Sequence, residues 1–261
     1  MKVGFVQFAP VFGDKQANFR AVEKLLEGIK ADLLVLPELF TTGYAFTSAE
    51  EVSDLAEETG EETTRFLAEI SASCNSTIVG GFVEREGLKC YNSAMITDPS
   101  GLISTYRKIH LFNKEKLWFS PGDKAPEVIE SGGVKTGIMI CFDWVFPEIC
   151  RTLALIGAQV IAHPSNLVLP WAQKAMFTRC LENHVFAVTA NRTGREQRGV
   201  DDFTFTGQSQ VTGCLGETLV SADQSSASVM TTEIDPMQAN NKNINAYNHL
   251  LNDRRPQLYE L

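Results

Sequence analysis

Three ionisable residues of complementary type each follow a short apolar run in this 261-residue chain. Cys141 ends the run over residues 134–140, Glu38 follows Leu33-Leu34-Val35-Leu36-Pro37, and Lys108 follows Leu102-Ile103-Ser104-Thr105-Tyr106-Arg107. Taken singly, each has a plain reading: a core cysteine, a loop glutamate and a solvated lysine. Taken together, they place a thiol, a carboxylate and an ammonium at the carboxyl ends of three strands, where α/β sheets gather reactive groups. A carboxylate can take a thiol's proton. An ammonium beside the thiol favours the thiolate and can hold an oxyanion.

The elements that must position these groups are legible as hydrophobic patterns. Residues 3–8 read as a strand. Asp14 can cap a helix whose Phe19, Val22, Leu25, Leu26 and Ile29 share one face. Residues 32–37 form a continuous apolar run, as in a strand buried on both faces. Thr59-Gly60-Glu61-Glu62 has capping-box spacing ahead of a helical stripe of Phe66, Leu67, Ile70 and Cys74. Segments 77–84, 92–97 and 102–107 read as strands, the last two joined by Asp98-Pro99-Ser100-Gly101.

The second half repeats the order. A strand over 134–140 is followed by a helix that starts at Pro147 and ends near Gly157. A strand over 159–162, a helix over 170–183, a strand over 185–190 and hairpins over 207–234 follow, with Gly213 and Gly216 at the turn. Two β-α-β-α-β units closed by hairpins do not fit a TIM barrel, where every strand leads into a helix. The expected fold is a single α/β domain over residues 1–261, a four-layer α-β-β-α sandwich of two pseudo-repeated halves. One doubly wound sheet is the alternative, and it explains the hairpins less well. Residues 240–261 form a polar tail anchored by Tyr247, Leu250, Leu251, Leu258 and Tyr259.

At 44% hydrophobic and 21% charged residues, the chain lies in the globular band, which excludes disordered, collagenous and coiled-coil readings. Its net charge of −9 disfavours nucleic acid and anionic membranes as partners. Cys74, Cys90, Cys141, Cys150, Cys180 and Cys214 contain no CxxC pair, and the four histidines are scattered, so no metal site is expected. The start is too alternating for a signal peptide, and no apolar run reaches membrane-spanning length. Free thiols in a reducing cytoplasm are the default.

Leu36-Pro37-Glu38, Tyr106-Arg107-Lys108-Ile109-His110-Leu111-Phe112 and Cys141-Phe142-Asp143-Trp144-Val145-Phe146-Pro147-Glu148 resemble, in order, the Glu, Lys and Cys motifs of the nitrilase, or carbon–nitrogen hydrolase, superfamily. Further matches are Phe119-Ser120-Pro121-Gly122-Asp123, His163-Pro164-Ser165-Asn166, Arg179-Cys180-Leu181-Glu182-Asn183 and Asp253-Arg254-Arg255-Pro256, so the resemblance spans nearly the whole chain. It looks closest to small stand-alone archaeal and bacterial members acting on amides, N-carbamoyl amines or aliphatic nitriles. The resemblance implies an α-β-β-α sandwich that pairs into a homodimer or higher homo-oligomer, with the tail crossing the interface. It implies Cys141 as nucleophile, Glu38 as general base, Lys108 as oxyanion stabiliser and Glu115 as a second glutamate orienting lysine and substrate. The Phe142 backbone N–H would complete the oxyanion hole, and no metal or organic cofactor is implied.

Strict nitrilases usually read Cys-Trp-Glu where this chain has Cys141-Phe142-Asp143. That departure favours a small aliphatic amide or N-carbamoyl amine as substrate, with an aliphatic nitrile as the alternative. Tyr44, Trp118, Trp144, Asn166 and Trp171 are the expected pocket residues, and their bulk suits a small group. Three other readings fare worse. A dinucleotide-dependent enzyme would need a GxGxxG turn, for which Gly80-Gly81-Phe82 is a poor substitute. A non-catalytic scaffold would have no use for all three of Glu38, Lys108 and Cys141, and an acyltransferase relative would need membrane spans.

Overall fold

The structure is a computed structural model describing residues 1–259. Its first half runs β1 (Lys2–Gln7), α1 (Lys15–Leu26), β2 (Leu33–Val35), α2 (Ala49–Leu55), α3 (Glu62–Cys74), β3 (Thr77–Glu86), β4 (Lys89–Asp98), β5 (Gly101–Arg107) and α4 (Glu115–Trp118). The second half runs β6 (Val128–Ser131), β7 (Val134–Ile138), a 3-10 turn (Cys141–Val145), α5 (Pro147–Leu155), β8 (Val160–Ser165), α6 (Ala172–Leu181) and β9 (Phe186–Asn191). It closes with β10 (Arg195–Arg198), β11 (Asp201–Thr204), β12 (Gln210–Thr212), β13 (Thr218–Ser221) and β14 (Ser228–Glu233).

Two six-stranded sheets, ordered β14-β1-β2-β3-β4-β5 and β13-β12-β9-β8-β7-β6, pack against each other. In each, three parallel strands carry one added antiparallel strand on one side and two on the other. The α1 and α3 helices cover the outside of the first sheet, and α5 and α6 that of the second. Period-two alternation explains the apolar runs: Leu33 and Val35 face the second sheet, while Leu34 and Leu36 face α1 and α3. Every one of these four is fully buried. The expected α-β-β-α sandwich of two repeated halves is the observed fold.

Two local expectations are corrected. The 207–234 segment was expected to be hairpins of the second half, yet only β12 and β13 pair there. β14 crosses to the first sheet and lies antiparallel to β1, with Gly4 opposite Thr231. A Cβ at Gly4 would stand 2.5 Å from the Met230 carbonyl oxygen, so the close approach needs glycine. The Thr59 capping box does not form. Glu57 reaches the start of α3 first, accepting from the Thr63 N–H at 2.7 Å while paired with Lys15. The α2 and α4 helices and the β10–β11 hairpin are additions that no hydrophobic period marks. The Asp14 cap, in contrast, forms as expected, accepting from the Ala17 N–H at 2.9 Å.

The tail begins on the second sheet's helices, where Lys242 Nζ donates to the carbonyls of Asn183 and His184, each at 2.8 Å. Beyond that clasp it leaves Tyr247 at 93% exposure and Leu258 at 71%. The last two residues of the expected tail, 260 and 261, lie outside the described residues.

One close approach ties the sheet to the residue after β2. Gly81 of β3 donates to the Pro37 carbonyl and accepts from the Phe40 N–H. A Cβ there would stand 2.5 Å from the Leu39 nitrogen and 2.7 Å from the Glu38 Cα. Backbone atoms cannot rotate away, so Gly81→Ala should cost about 1–3 kcal/mol. Denaturant unfolding checks this, with a lowered midpoint and an unchanged slope as the expected outcome.

Candidate active site

Glu38, Lys108 and Cys141 each stand just past the end of a strand, as the sequence reading expects, and the fold brings them to one place. Pro37 and the following turn, with Leu39 at φ 47°, bend the chain after β2 so that the Glu38 side chain is fully buried. The chain past β5 keeps to the sheet because the Lys108 N–H donates to the Asn92 carbonyl at 2.8 Å. Lys108 Nζ then lies 2.7 Å from Glu38 Oε1 and 2.8 Å from the Glu115 carboxylate. Glu115, at the start of α4, also accepts from the Tyr44 hydroxyl at 2.7 Å and the Phe112 N–H at 3.1 Å. Glu38 Oε1 further accepts from Asn92 Nδ2 at 2.7 Å, whereas Glu38 Oε2 is buried with no hydrogen-bond partner among the described residues.

Cys141 opens the 3-10 turn in a left-handed conformation, φ 42°, which a side chain other than glycine's adopts at a cost of about 1–3 kcal/mol. Asp143 fastens that turn. Its buried carboxylate accepts from the Ile140 N–H, the Tyr106 hydroxyl, the His110 N–H and His110 Nδ1. The turn bearing Cys141 is thereby tied to the segment bearing Lys108. Phe142 is the second residue of the turn, and the first N–H groups of a helical turn have no partner inside it.

The electrostatics follow from burial among charges. Burial pushes the Cys141 thiol well above its ordinary pKa, and the Glu38 and Glu115 charges push the same way. Lys108 and the Asn166 backbone N–H pull it down, but not far enough. The resting group is a neutral thiol that needs a base. Burial acts against the Lys108 charge, yet the Glu115 and Glu38 carboxylates outweigh it and raise its pKa, so it stays an ammonium. Burial raises the Glu115 pKa against the pull of Lys108.

Two narrow clefts flank this cluster. One, beside Cys141, is lined by Phe112, Phe142, Trp144, Asn166, Leu167 and Val168. The other, beside Glu115, is lined by Tyr44, Phe46, Trp118, Phe119 and Phe203 with the Lys114–Asp201 ion pair at its rim. Of the five expected pocket residues, Trp171 stands in neither cleft: it lies at the surface ahead of α6, 60% exposed. A roomier groove of about 750 Å³ lies between α1 and α3, remote from these residues in the fold. Asn92, Asp143, Tyr106 and His163 escaped the sequence reading as site residues. Tyr106, Asp143 and His163 lie inside segments that resemble family motifs, whereas nothing in the sequence marks Asn92. Among the described residues no group of three or more His, Cys, Asp or Glu side chains could hold a metal, and no helix is long and apolar enough to cross a membrane.

The buried Glu38–Lys108–Glu115 triplet yields a stability test. Lys108→Met leaves two carboxylates buried without their cation and should cost roughly 3–5 kcal/mol. Adding Glu38→Gln and Glu115→Gln removes both charges and should restore most of that loss while leaving the protein inactive. Thermal and denaturant midpoints of the single and triple variants, with activity assays, provide the check.

The family described as Carbon-nitrogen hydrolase matches residues 2–241. The chain is 46% identical, over 99% of both proteins, to a nitrilase of Pyrococcus abyssi. It is 32% identical to an (R)-stereoselective amidase of a Pseudomonas species, over 99% of this chain and 93% of that one. Among solved structures, an amidase variant from Nesterenkonia sp. AN1, in which acrylamide has added to the active-site cysteine, superposes with a TM-score of 0.79 at 25% identity, over 99% of this chain and 98% of that one. A match along nearly the whole length, on a shared fold, leaves one conclusion: the chain belongs to the carbon–nitrogen hydrolase family of the nitrilase superfamily and is a hydrolase of carbon–nitrogen bonds.

Proposed function

We propose that the enzyme hydrolyses a small, uncharged aliphatic amide or N-carbamoyl amine through a Cys141 thioester. The observation that carries this reading is the division of labour in the Glu38 carboxylate. Oε1 is held by Lys108 and Asn92, while Oε2 has no partner among the described residues and serves as the base. Glu38 takes the Cys141 proton as sulfur forms its bond to the carbonyl carbon. The carbonyl π pair moves to oxygen, and the Lys108 ammonium and Phe142 N–H hold the oxyanion. Glu38 then gives its proton to the leaving nitrogen, the C–N bond breaks, and ammonia or an amine departs. Water attacks the thioester while losing a proton to Glu38, then the C–S bond breaks and Glu38 returns that proton to the leaving sulfur, releasing the acid and restoring the Cys141 thiol. Glu115 keeps the lysine aimed and the substrate oriented.

The cleft beside Cys141 supports the substrate class. Its side chains are apolar or, in Asn166, neutral, so a charged acyl or amine group would enter with no partner for its charge. Trp144 and Asn166 bound the substrate on this side, Tyr44 and Trp118 on the other. A second reading, a small aliphatic nitrile, is favoured by the 46% identity to a protein named nitrilase. There sulfur would add to the nitrile carbon to give a thioimidate, which water converts to the same thioester with loss of ammonia. The test is ammonia release from matched short-chain amides, N-carbamoyl amines and nitriles. Cys141→Ala should abolish turnover, and full activity in that variant would refute the nucleophile assignment. Turnover of nitriles with inert matching amides would transfer the assignment to the nitrile reading.

The exposed Tyr247 and Leu258 of the tail, with Phe177 of α6 half-exposed, support a homodimer whose tails reach the partner. Sedimentation should show a dimer for the full chain and a monomer after truncation at Asn240. The six free thiols support a reducing cytoplasm as its compartment.

A further inference from the structure

The strained turn at Cys141 is held from a direction that none of the proposed catalytic groups supplies. His163, on β8 and fully buried, places Nε2 2.9 Å from the Cys141 carbonyl oxygen. A carbonyl only accepts, so Nε2 carries the hydrogen. The other nitrogen, Nδ1, lies 3.1 Å from the Thr189 hydroxyl on the paired residue of β9. Burial holds the imidazole pKa below its ordinary value, so the ring is neutral. In the neutral ring Nδ1 must then accept, and the Thr189 hydroxyl donates to it. Thr189, His163 and Cys141 form a directed relay of hydrogen bonds that starts on one parallel strand, crosses the next and ends on the main chain of the reactive residue.

We propose that His163 is a positioning residue: its Nε2–H fixes the Cys141 carbonyl, and with it the left-handed backbone that aims the thiol at Glu38 and the substrate. The geometry explains why a fully buried histidine follows the apolar Val160-Ile161-Ala162 of its strand. Left-handed backbone at a non-glycine residue persists only where its surroundings over-determine it. The flanking residues fix one side of the turn: Met139 N–H donates to the Ala162 carbonyl, and the Ile140 N–H to Asp143. Asp143 holds the far side of the same turn through Tyr106 and His110. Among these anchors, His163 is the side chain that bonds the Cys141 peptide itself. If the carbonyl were released, the peptide could rotate and the thiol would leave its line of attack without the substrate pocket changing shape. That predicts a loss in kcat rather than in KM.

This inference rests on the reading of Cys141 as nucleophile, and the experiment separates the two. His163→Gln keeps an N–H donor at about the reach of Nε2, whereas His163→Asn is too short to touch the Cys141 carbonyl. With propionamide, or propionitrile if nitriles are the substrates, His163→Asn should lower kcat by about 100-fold at nearly constant KM. His163→Gln should recover most of that loss. The rate of Cys141 alkylation by iodoacetamide should fall and recover in parallel, at thermal midpoints matched between the two variants. Equal kcat in both variants, or a loss confined to KM, would overturn the positioning role. Should neither variant fold, Thr189→Val leaves the imidazole in place and decides the matter: a severalfold lower kcat supports the relay and an unchanged kcat refutes it. Cys141→Ala is run alongside. If it retains turnover, the nucleophile reading fails whatever the histidine variants do. If it is dead while the histidine variants match the wild type, only the role of His163 fails.

Discussion

The structure is organised around one ammonium group held between two carboxylates with almost no water. Lys108 and Glu38 are 0% exposed in their side chains and Glu115 is 4%. Taking each such ion out of water costs several kcal/mol, and the interior returns that only if every partner stands at hydrogen-bonding distance. The surrounding residues meet that condition for every carboxylate oxygen except Glu38 Oε2, which has no partner among the described residues. Asn92 and Lys108 share Glu38 Oε1, while Tyr44 and the Phe112 N–H complete Glu115. A rigid frame follows as a consequence. Gly81 lets β3 run against the Glu38 backbone, and the two sheets lock face to face behind it.

The same burial sets the chemistry. A thiol sunk among carboxylates is a poor acid, so it rests protonated. In the proposed function the neighbouring Glu38 carboxylate supplies the activation, and its Oε2 has no hydrogen-bond partner among the described residues. The lysine stays charged throughout because losing its proton would leave two carboxylates facing each other. The Glu38 carboxylate is thus divided atom by atom: Oε1 is bonded into the frame, and Oε2 is the oxygen that the proposed function uses as base. The Cys141 backbone stores strain of the kind reactive residues carry, and hydrogen bonds from both sides of the turn hold it.

Around this centre the clefts are defined by segments that no regular pattern announces. The β10–β11 hairpin lies over Tyr44, with Glu196 accepting from the N–H groups of Tyr44 and Ala45. Arg198 pairs with Glu51, whose carboxyl is held down to about 2, so the clip stays ionised well into the acid range. Phe203 meets the Tyr44 ring edge-on at 5.6 Å. These contacts, rather than the sheets, shape the side of the site where Trp118 and Phe119 stand. Trp171, chosen by residue type and chain position alone, ends at the surface because its helix begins one residue later, on the outer layer.

The sequence by itself determined the layers and the chemistry's raw materials. Leu33 to Leu36 alternate between two apolar environments, so a continuous apolar run there already implies a strand covered on both faces. Glu38, Lys108 and Cys141 follow such runs, and their side-chain types leave few alternatives for joint chemistry. Local rules of this kind depend on neighbours in the chain, and they held for the Asp14 cap and for the helix opened by Pro147. They failed where a distant group competed. Glu57 displaced Thr59 at the start of α3, and β14 left its own half to pair with β1. The tertiary structure alone brings Asn92 to Glu38 and Asp143 to Tyr106 and His110, leaves Glu38 Oε2 without a partner among the described residues, and sets His163 against the Cys141 carbonyl. Each of these joins residues 22 to 54 positions apart, or rests on such contacts, through hydrogen bonds whose partners are fixed by sheet register and side-chain direction. No periodicity along one strand encodes the register of another, because that is set when the two sheets bury their common face.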